Sequence, residues 1–324
     1  MMLASIIVPT YGSRLEYLKD ALISAQNQNL FADEYEIIAV DNSPDAKVLP
    51  IVEEMNRNGG HHIRYIRETK MGLLDARHAG ARHSKGQILA YVDDDIIAPP
   101  EWLLALTEPF KDPDVACSGG KVLPQWEAEV PSWFSQFTPG HLSLLDLGDK
   151  TIEIKHAGLW GCNIAVRRDY FFAVGGSNPE IIGEDPSSIW LMGSGECGLE
   201  DKLHDLGFKL IYEPKAWLYH RIPASRLKPE YFYWRLFMQG VDDSYTYIRN
   251  LRLRNKKFLY VYIVKEILFN HLRAGKAFIK SLMKREQGIR LKADALYWYA
   301  RGQHQARTLL SKKMQQHVFK DSYL

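Results

Sequence analysis

Three consecutive carboxylates, Asp93, Asp94 and Asp95, close an apolar run in "GQILAYVDDDIIAPPEWL". Left unpaired they repel one another, and each raises the pKa of its neighbours. A hard divalent cation such as magnesium, manganese or calcium relieves that repulsion, because oxygens are its preferred ligands. The competing reading is an acidic turn that caps the helix expected at "PPEWLLALTEPF". A second acidic group stands in "GECGLEDKL", where Glu196 and Glu200 are four residues apart on one helical face and Asp201 follows. A carboxylate there can accept the proton of an attacking hydroxyl. The same acids also suit a solvated helix start. Asp41 ends another apolar run, "YEIIAVDNS". Ionised, it can only accept hydrogen bonds; "DNSP" also reads as a turn and helix cap.

Two glycine signatures are missing. The chain has no GxxxxGK[ST], and its first strand runs into "PTYGSR" instead of GxGxxG. A nucleotide held here is therefore not expected to sit on a glycine-rich turn. A cation bridging a diphosphate does the same electrostatic work.

The elements that must position these residues alternate. "ASIIVPTY", "YEIIAVDNS", "HIRYIRE" and "QILAYVDDD" read as strands, the first two and the last of them buried. Between them, "RLEYLKDALISAQNQ", "PDAKVLPIVEEMNRNGG" after Pro44, and "LLDARHAGARHSKG" have helical spacing. Such alternation predicts an α/β fold: a mostly parallel sheet with helices on both faces. Ligands of such sheets bind beyond the carboxyl ends of the strands, so "VPTYG", "VDNS" and "VDDD" are expected to converge. Residues 98–222 are less regular. They hold a strand at "VACSGGKVL", an aromatic stretch with Trp126, Trp133, Phe134 and Phe137, a helix at "ECGLEDKLHDLG" closed by Gly207, and a strand at "KLIYEP". From about residue 229 the pattern is helical and aromatic.

The chain has 324 residues, 46% apolar and 25% charged, the proportions of a folded domain or two. Cys117, Cys162 and Cys197 are odd in number and lack CxxC spacing, which predicts reduced thiols in a cytoplasmic protein. No signal peptide is visible, and no run approaches the roughly 18 apolar residues of a spanning helix. Net charge is +2, unevenly spread: residues 251–324 carry 17 basic and 4 acidic side chains, a balance of +13, against −11 for the rest. Parts so different in charge are expected to do different work.

Five segments in order, "SIIVPTYGSRLEYLKDALISAQNQ", "YEIIAVDNS", "GLLDARHAGARHSKGQILAYVDDDI", "GCNIAVRRDYFFAVGGSNPEI" and "GECGLEDKLHDLGFKLIYEP", resemble glycosyltransferase family 2 over roughly residues 4 to 222. The resemblance implies a GT-A (Rossmann-like nucleotide-diphospho-sugar transferase) fold and generally inverting chemistry. It makes the acidic triplet a DxD-type motif, with Asp95 the direct ligand of Mn2+ or Mg2+. Asp93 and Asp94 would face the ribose or the ion's water shell, and Asp93 is a second candidate ligand. His220 in "WLYHRIP", after a strand, stands where many GT-A enzymes have a third ligand, and imidazole suits manganese. Asp41 would accept N3–H of uracil or thymine, and Pro9, Thr10 and Tyr11 would line the base and ribose pocket. Arg14 and Arg77 match basic positions near the nucleotide; Arg77 is favoured, since a guanidinium suits phosphate oxygens. Trp160, Gly161 and Asn163 match the stretch lining the donor and acceptor sites.

The match departs from the family in two places. His78 stands where an Asn usually follows the Arg, and Cys197 where the family commonly has the second acid of Gly-Glu-Asp. Glu196 is the proposed base and Asp201 the runner-up; "GED" at Gly183-Glu184-Asp185 is a competitor. The expected domains are 1–222, catalytic (1–97 nucleotide-binding half, 98–222 acceptor-binding half), and 223–324, basic and helical. The expected activity is metal-dependent transfer from a UDP- or dTDP-sugar to a hydroxyl of a glycan or lipid-linked acceptor, in cell-surface polysaccharide synthesis. The acceptor would lie over "GLWGCN" and under the loop with Trp133 and Phe134. The rivals are a nucleotide-sugar pyrophosphorylase and a non-catalytic glycan-binding scaffold. The basic tail is expected either to lie on an anionic membrane surface or to form a packed helical subdomain or homodimer interface. No nucleic-acid motif is present. Location is expected to be cytoplasmic, peripheral on the inner face of the membrane.

Overall fold

The computed structural model describes residues 2–179, 186–254, 259–284 and 287–324. The N-terminal half comprises β1 (Ala4–Thr10), α1 (Leu15–Gln26), β2 (Tyr35–Asp41), α2 (Leu49–Asn58), β3 (Ile63–Arg67), α3 (Leu73–His83), β4 (Ile88–Tyr91) and β5 (Ile96–Ile97). There follow α4 (Trp102–Thr107), β6 (Val115–Trp126), β7 (Ile152–Ile154), β8 (Ile164–Arg167), α5 (Arg168–Ala173), α6 (Gly195–Asp205) and β9 (Lys209–Ile222). The chain continues with α7 (Pro229–Arg254), α8 (Leu259–Met283), α9 (Gly288–Leu310) and α10 (Lys312–Val318). Helix α2 begins at Leu49, later than expected from Pro44; Ser43 to Val48 form a turn instead, in which the Lys47 N–H donates to the Ser43 hydroxyl.

The described strands make one sheet in the order β3-β2-β1-β4-β8-β6-β9-β5, with β7 added on β9. The first four strands pair in parallel; β1, β2 and β4 are fully buried, and β3, Ile-Arg-Tyr-Ile-Arg, forms the half-buried edge. The expectation of a mostly parallel sheet holds for this half alone. β8 is antiparallel to both β4 and β6, and β5 and β7 are antiparallel to β9, while β6 and β9 are parallel. All residues of β1 and β2 are buried, and Gly80 of α3 lets that helix close on the sheet: a Cβ there would lie 2.3 Å from Ile7. The chain moves from β1 outward to β2 and β3, then returns through α3 to β4 on the other side of β1. The switch point between β1 and β4 is where open α/β sheets hold ligands.

The helical end shares the core of the sheet. Phe232, Leu236 and Ala293 belong to the same buried cluster as Ile6 and Val8. Trp133, Phe134 and Phe137 pack their rings on Phe232. This corrects the expectation that Trp133 and Phe134 roof an acceptor: their rings seat α7 on the catalytic body.

Candidate active site

The carboxyl ends of β1, β2 and β4 converge as expected. The Thr10 hydroxyl donates to Asp94, and the Gly12 N–H donates back to Thr10 at 3.0 Å. Burial, then the charge of Asp95, pushes the Asp94 carboxyl up to about 7. β5 is only two residues long, but its antiparallel register sets Ile96 opposite His220. That register brings Asp95 beside the imidazole: His220 Nε2 lies 3.2 Å from Asp95 Oδ1. His220 sits inside β9, not after a strand as expected, because β9 extends well past "KLIYEP".

Arg226 joins this pair, donating to Asp95 Oδ2 at 2.8 Å and to His220 Nε2 at 2.8 Å. An arginine only donates, so Nε2 presents its lone pair. The other ring nitrogen, Nδ1–H, then donates to the Leu142 carbonyl at 3.0 Å. A carboxylate and an imidazole lone pair thus face a shared cation, with the tautomer fixed by a backbone carbonyl, the arrangement found around metal-bound histidines. Asp95 and His220 fit a divalent ion by donor chemistry. Among the described residues no third His, Cys, Asp or Glu side chain completes the group. Asp93, expected as a ligand, turns instead to Arg77, 3.2 Å away. Burial raises the Asp93 carboxyl, and Arg77 opposes that.

Arg77, buried on α3, links the two acidic groups. Its other nitrogen lies 3.6 Å from Glu196 Oε2, and Glu196 Oε1 accepts the Gly161 N–H at 3.1 Å. A Cβ at 161 would lie 2.4 Å from the guanidinium, so a larger residue there would push Arg77 out of this position. Glu200, on the same face of α6, accepts the N–H groups of Gly158 and Leu159 at 2.9 and 3.2 Å. The two glutamates therefore grip one loop, 158–161, from below. Glu200 is fully enclosed and its carboxyl is pushed up to about 8, chiefly by burial. Asp201 faces a different space. It lines a cleft of about 1090 Å³ between the catalytic body and α7 and α9, together with Trp160, Cys197, Arg235, Asp242 and Trp298. Burial raises the Asp201 carboxyl, and Asp205 adds to it. Burial also holds the Cys197 thiol well above its usual range, which leaves it unreactive.

Two expected contacts are turned inward. Asp41 is fully buried and meets donors from its own chain: the Ser43 N–H and hydroxyl at 2.9 and 2.6 Å, Tyr65 at 2.9 Å and Arg67 at 3.2 Å. It orients Tyr65 and Arg67 and does not offer an open acceptor to a base. Asn163 is equally enclosed. It accepts from the Trp102 indole at 2.8 Å and donates to the carbonyls of Lys121 and Ala216, joining β6, β8, β9 and α4. Pro9 is buried within β1 opposite Val40, whereas Tyr11 is exposed at the strand end. Arg14 precedes α1 and lies over the Tyr17 ring at 5.2 Å. Trp160 donates to the Leu144 carbonyl at 3.2 Å while its ring borders the cleft. Asp185 lies outside the described residues.

Sequence reading missed three residues. Arg226 lies in "HRIPASR" with no motif around it; a cation six residues after the candidate histidine was the available signal. Asn42 pins the loop before α3, donating to the Glu68 and Lys70 carbonyls and accepting the Gly72 N–H. His78, the departure from the family pattern, is buried, and burial pushes its imidazole down to about 3. Neutral, it accepts the Ser177 N–H at 3.2 Å and so ties α3 to the turn after α5.

The parallel N-terminal half-sheet, the mixed strands that extend it and the C-terminal helices make a fold of the GT-A class of sugar transferases. The sequence profile of glycosyl transferase family 2 matches residues 5–174, and the chain belongs to that family of glycosyltransferases. It is 23% identical over 274 residues to a glucosyl-dolichyl phosphate glucuronosyltransferase of Haloferax volcanii, covering 78% of this chain and 84% of the relative. To the succinoglycan biosynthesis protein ExoM of Rhizobium meliloti it is 24% identical, covering 63% and 62%. The fold is similar to that of a mannosyltransferase from Pyrobaculum calidifontis in complex with GDP-Man and Mn2+ (TM-score 0.58, 16% identity, 96% of this chain and 87% of the other). It is also similar to GalNAc-T7 with UDP, GalNAc and Mn2+ (TM-score 0.52, 20% identity, 68% and 43%).

Proposed function

We propose that the protein is a divalent-cation-dependent, inverting glycosyltransferase that moves a sugar from a nucleotide-diphosphate donor to a hydroxyl of a glycan or lipid-linked acceptor. The single observation that carries this is the Asp95–His220 pair turned onto one cation, beside an Arg77 that reaches Glu196. Asp95 and His220 would hold the ion, and Mn2+ in both solved neighbours supports that assignment over a structural ion pair. When bound, such an ion supplies positive charge to the departing diphosphate. Arg77 and Arg226 stand where further cations can meet phosphate oxygens. Glu196 is held by Gly161 and Arg77 at the edge of the site and takes the acceptor proton.

The acceptor enters through the cleft lined by Trp160, Asp201 and Trp298. Aromatic faces and carboxylates there suit sugar rings and hydroxyls. Because Asp41 is enclosed, reading of the base falls to Tyr65, Arg67 and the strand end at Tyr11. UDP- and dTDP-sugars remain the first donors to test, followed by GDP-mannose. The relatives named for a glucosyl-dolichyl phosphate substrate and for succinoglycan biosynthesis support an acceptor of cell-surface polymer or glycolipid synthesis.

The test is donor hydrolysis and titration calorimetry with a panel of nucleotide-sugars in Mn2+ or Mg2+. Metal-dependent nucleotide binding and hydrolysis, both lost in Asp95→Ala, are expected. Binding that ignores the ion and survives Asp95→Ala would overturn the reading. Release of nucleotide triphosphate on adding pyrophosphate would identify a pyrophosphorylase instead.

A further inference from the structure

Helix α8 carries most of its large apolar side chains on the outside. Its buried face is Ile263, which packs in a cluster with Tyr245, Ile248 and Val318, followed by Asn270 and Ala274, which are polar or small. The helices approach closely because α9 has Gly302 at the contact, where a Cβ would lie 2.6 Å from the His271 ring. The opposite face presents Val261, Val264, Leu268, Leu272, Ile279 and Leu282, each 55–71% exposed. These positions recur at helical spacing and make one stripe. Lys265, Arg273, Lys276 and Lys280 are exposed along its flank. From Val261 to Lys284 the sequence has one carboxylate, Glu266. A helix that merely packed on its own domain would reverse this distribution.

We propose that α8 is a docking helix for an anionic lipid surface, its stripe set into the boundary between headgroups and acyl chains and its lysines on the phosphates. The helix lies on the bilayer and does not cross it: no helix among the described residues is long and apolar enough to span a membrane. Charge selects this occupant over a second copy of the chain. Two α8 stripes laid together bring two rows of cations into one interface, with Glu266 as their sole counter-charge on each helix, whereas anionic headgroups neutralise them.

The docking face is joined to the active-site cleft. The Arg273 guanidinium of α8 lies 4.6 Å from the ring centre of Trp298, and Trp298 lines the cleft from α9. A bilayer under α8 therefore lies one helix away from the cleft wall. That consequence rests on the proposed acceptor reading; the docking itself does not.

The test is sedimentation of the full chain with sucrose-loaded vesicles of phosphatidylcholine alone or mixed with phosphatidylglycerol. Binding to the mixed vesicles and little to the neutral ones is expected. Lys276→Glu with Lys280→Glu should weaken it by about tenfold or more. Leu268→Asp with Ile279→Asp should abolish it, with circular dichroism and donor hydrolysis in solution unchanged. Donor hydrolysis without vesicles tests the transfer reading separately. The proposal is overturned if the wild-type chain stays in the supernatant with both vesicles, or if it sediments equally with both and the variants do the same. It is also overturned if light scattering shows a dimer that Leu268→Asp with Ile279→Asp disperses, with no vesicle binding by the wild type.

Discussion

The N-terminal half-sheet and helix α8 dispose of apolar side chains in opposite directions. β1 and β2 bury every residue, so their polar groups need partners: Ser5 donates to Glu36 near the strand starts, and Thr10 donates to Asp94 at the carboxyl end. In α8 the buried face is Ile263, Asn270 and Ala274, while Leu268, Leu272 and Ile279 face outward. The difference teaches where substitutions should be felt as chemistry and where as contact. A carboxylate at the mouth of a fully buried sheet has few alternative partners, and its loss reaches the reaction. A leucine on the outer face of α8 holds nothing in the fold, and its loss leaves stability and turnover alone.

The largest effect that would sharpen this contrast is at Asp95. Asp95→Ala removes the carboxylate that accepts from Arg226 beside His220 and should lower metal-dependent turnover by about a thousandfold, the equivalent of several kcal/mol of charge stabilisation. Steady-state kinetics with Mn2+ titration checks it; activity within a few-fold of wild type would place the cation elsewhere. Glu196→Gln should cost about a hundredfold in kcat with little change in donor KM, because it removes a proton acceptor and keeps the hydrogen bond from Gly161. If Asp201→Asn is instead the more damaging change, the base faces the cleft and the order of the two carboxylates is reversed.

How much of this was legible in the sequence follows the same divide. β1, β2 and β4 could be read because each is a largely apolar run ending in polar residues, as burial on both faces demands, whereas β3 was read from its shorter alternation of Ile and Tyr with Arg. The second half of the sheet was harder. β9 bends from β7 to β5 along 14 residues, and its exposed Tyr219 and buried His220 carry no strand signature. Asp93, Asp94 and Asp95 could be singled out, but not their partners. Arg77 to Asp93, Thr10 to Asp94 and Arg226 to Asp95 are pairings made by tertiary register. Asp41 and Asn163 show the limit of motif matching: both occupy family positions, and both are enclosed by donors and acceptors of this chain. The outward stripe of α8 was visible only as mixed apolar and basic spacing, because periodicity does not say which face meets the protein.

A middle-sized effect tests the buried side of the comparison away from the chemistry. Glu200 is held protonated by burial, with a pKa of about 8 against 4.5 when exposed, and its Oε1 has no hydrogen-bond partner. Between those values the folded state binds the proton that the unfolded state has released. Its contribution to stability is therefore complete below about pH 4.5 and lost as pH rises through about 8. Glu200→Gln cannot titrate and keeps the acceptor for Gly158 and Leu159. Thermal melts from pH 5 to 8 should show a shallower decline in Tm for the variant than for the wild type. Parallel profiles would mean that Glu200 is ionised in the folded protein.

Arg226 allows a smaller test at the open mouth of the sheet. It donates to both Asp95 and His220, so a divalent ion entering there must displace it. Arg226→Ala should raise nucleotide-free Mn2+ affinity by about tenfold, since removing a competing cation from the buried Asp95 carboxylate is worth roughly 1 to 2 kcal/mol. Calorimetry or manganese paramagnetic resonance without nucleotide reads it directly. An unchanged affinity would mean that the guanidinium and the ion occupy different positions.

The smallest expected effect, at Leu268, lies on α8, and set beside a change at Ala274 it bears most directly on the contrast between the helix's two faces. Ala274 is buried on the seam with α9, where the helices are already close. Ala274→Leu should destabilise by about 1–3 kcal/mol, as overpacking of a tight contact does. Leu268→Ala, one and a half turns away on the outer stripe, should change stability by no more than about 0.5 kcal/mol, although it removes the larger side chain. Urea unfolding of the two variants makes the comparison. A loss of several kcal/mol at Leu268 would mean that the outer stripe is covered by protein in solution, since only burial gives a leucine that much to lose. A silent Ala274→Leu would mean that α8 can lift from α9, and the stripe would then not be held in a fixed orientation toward any surface.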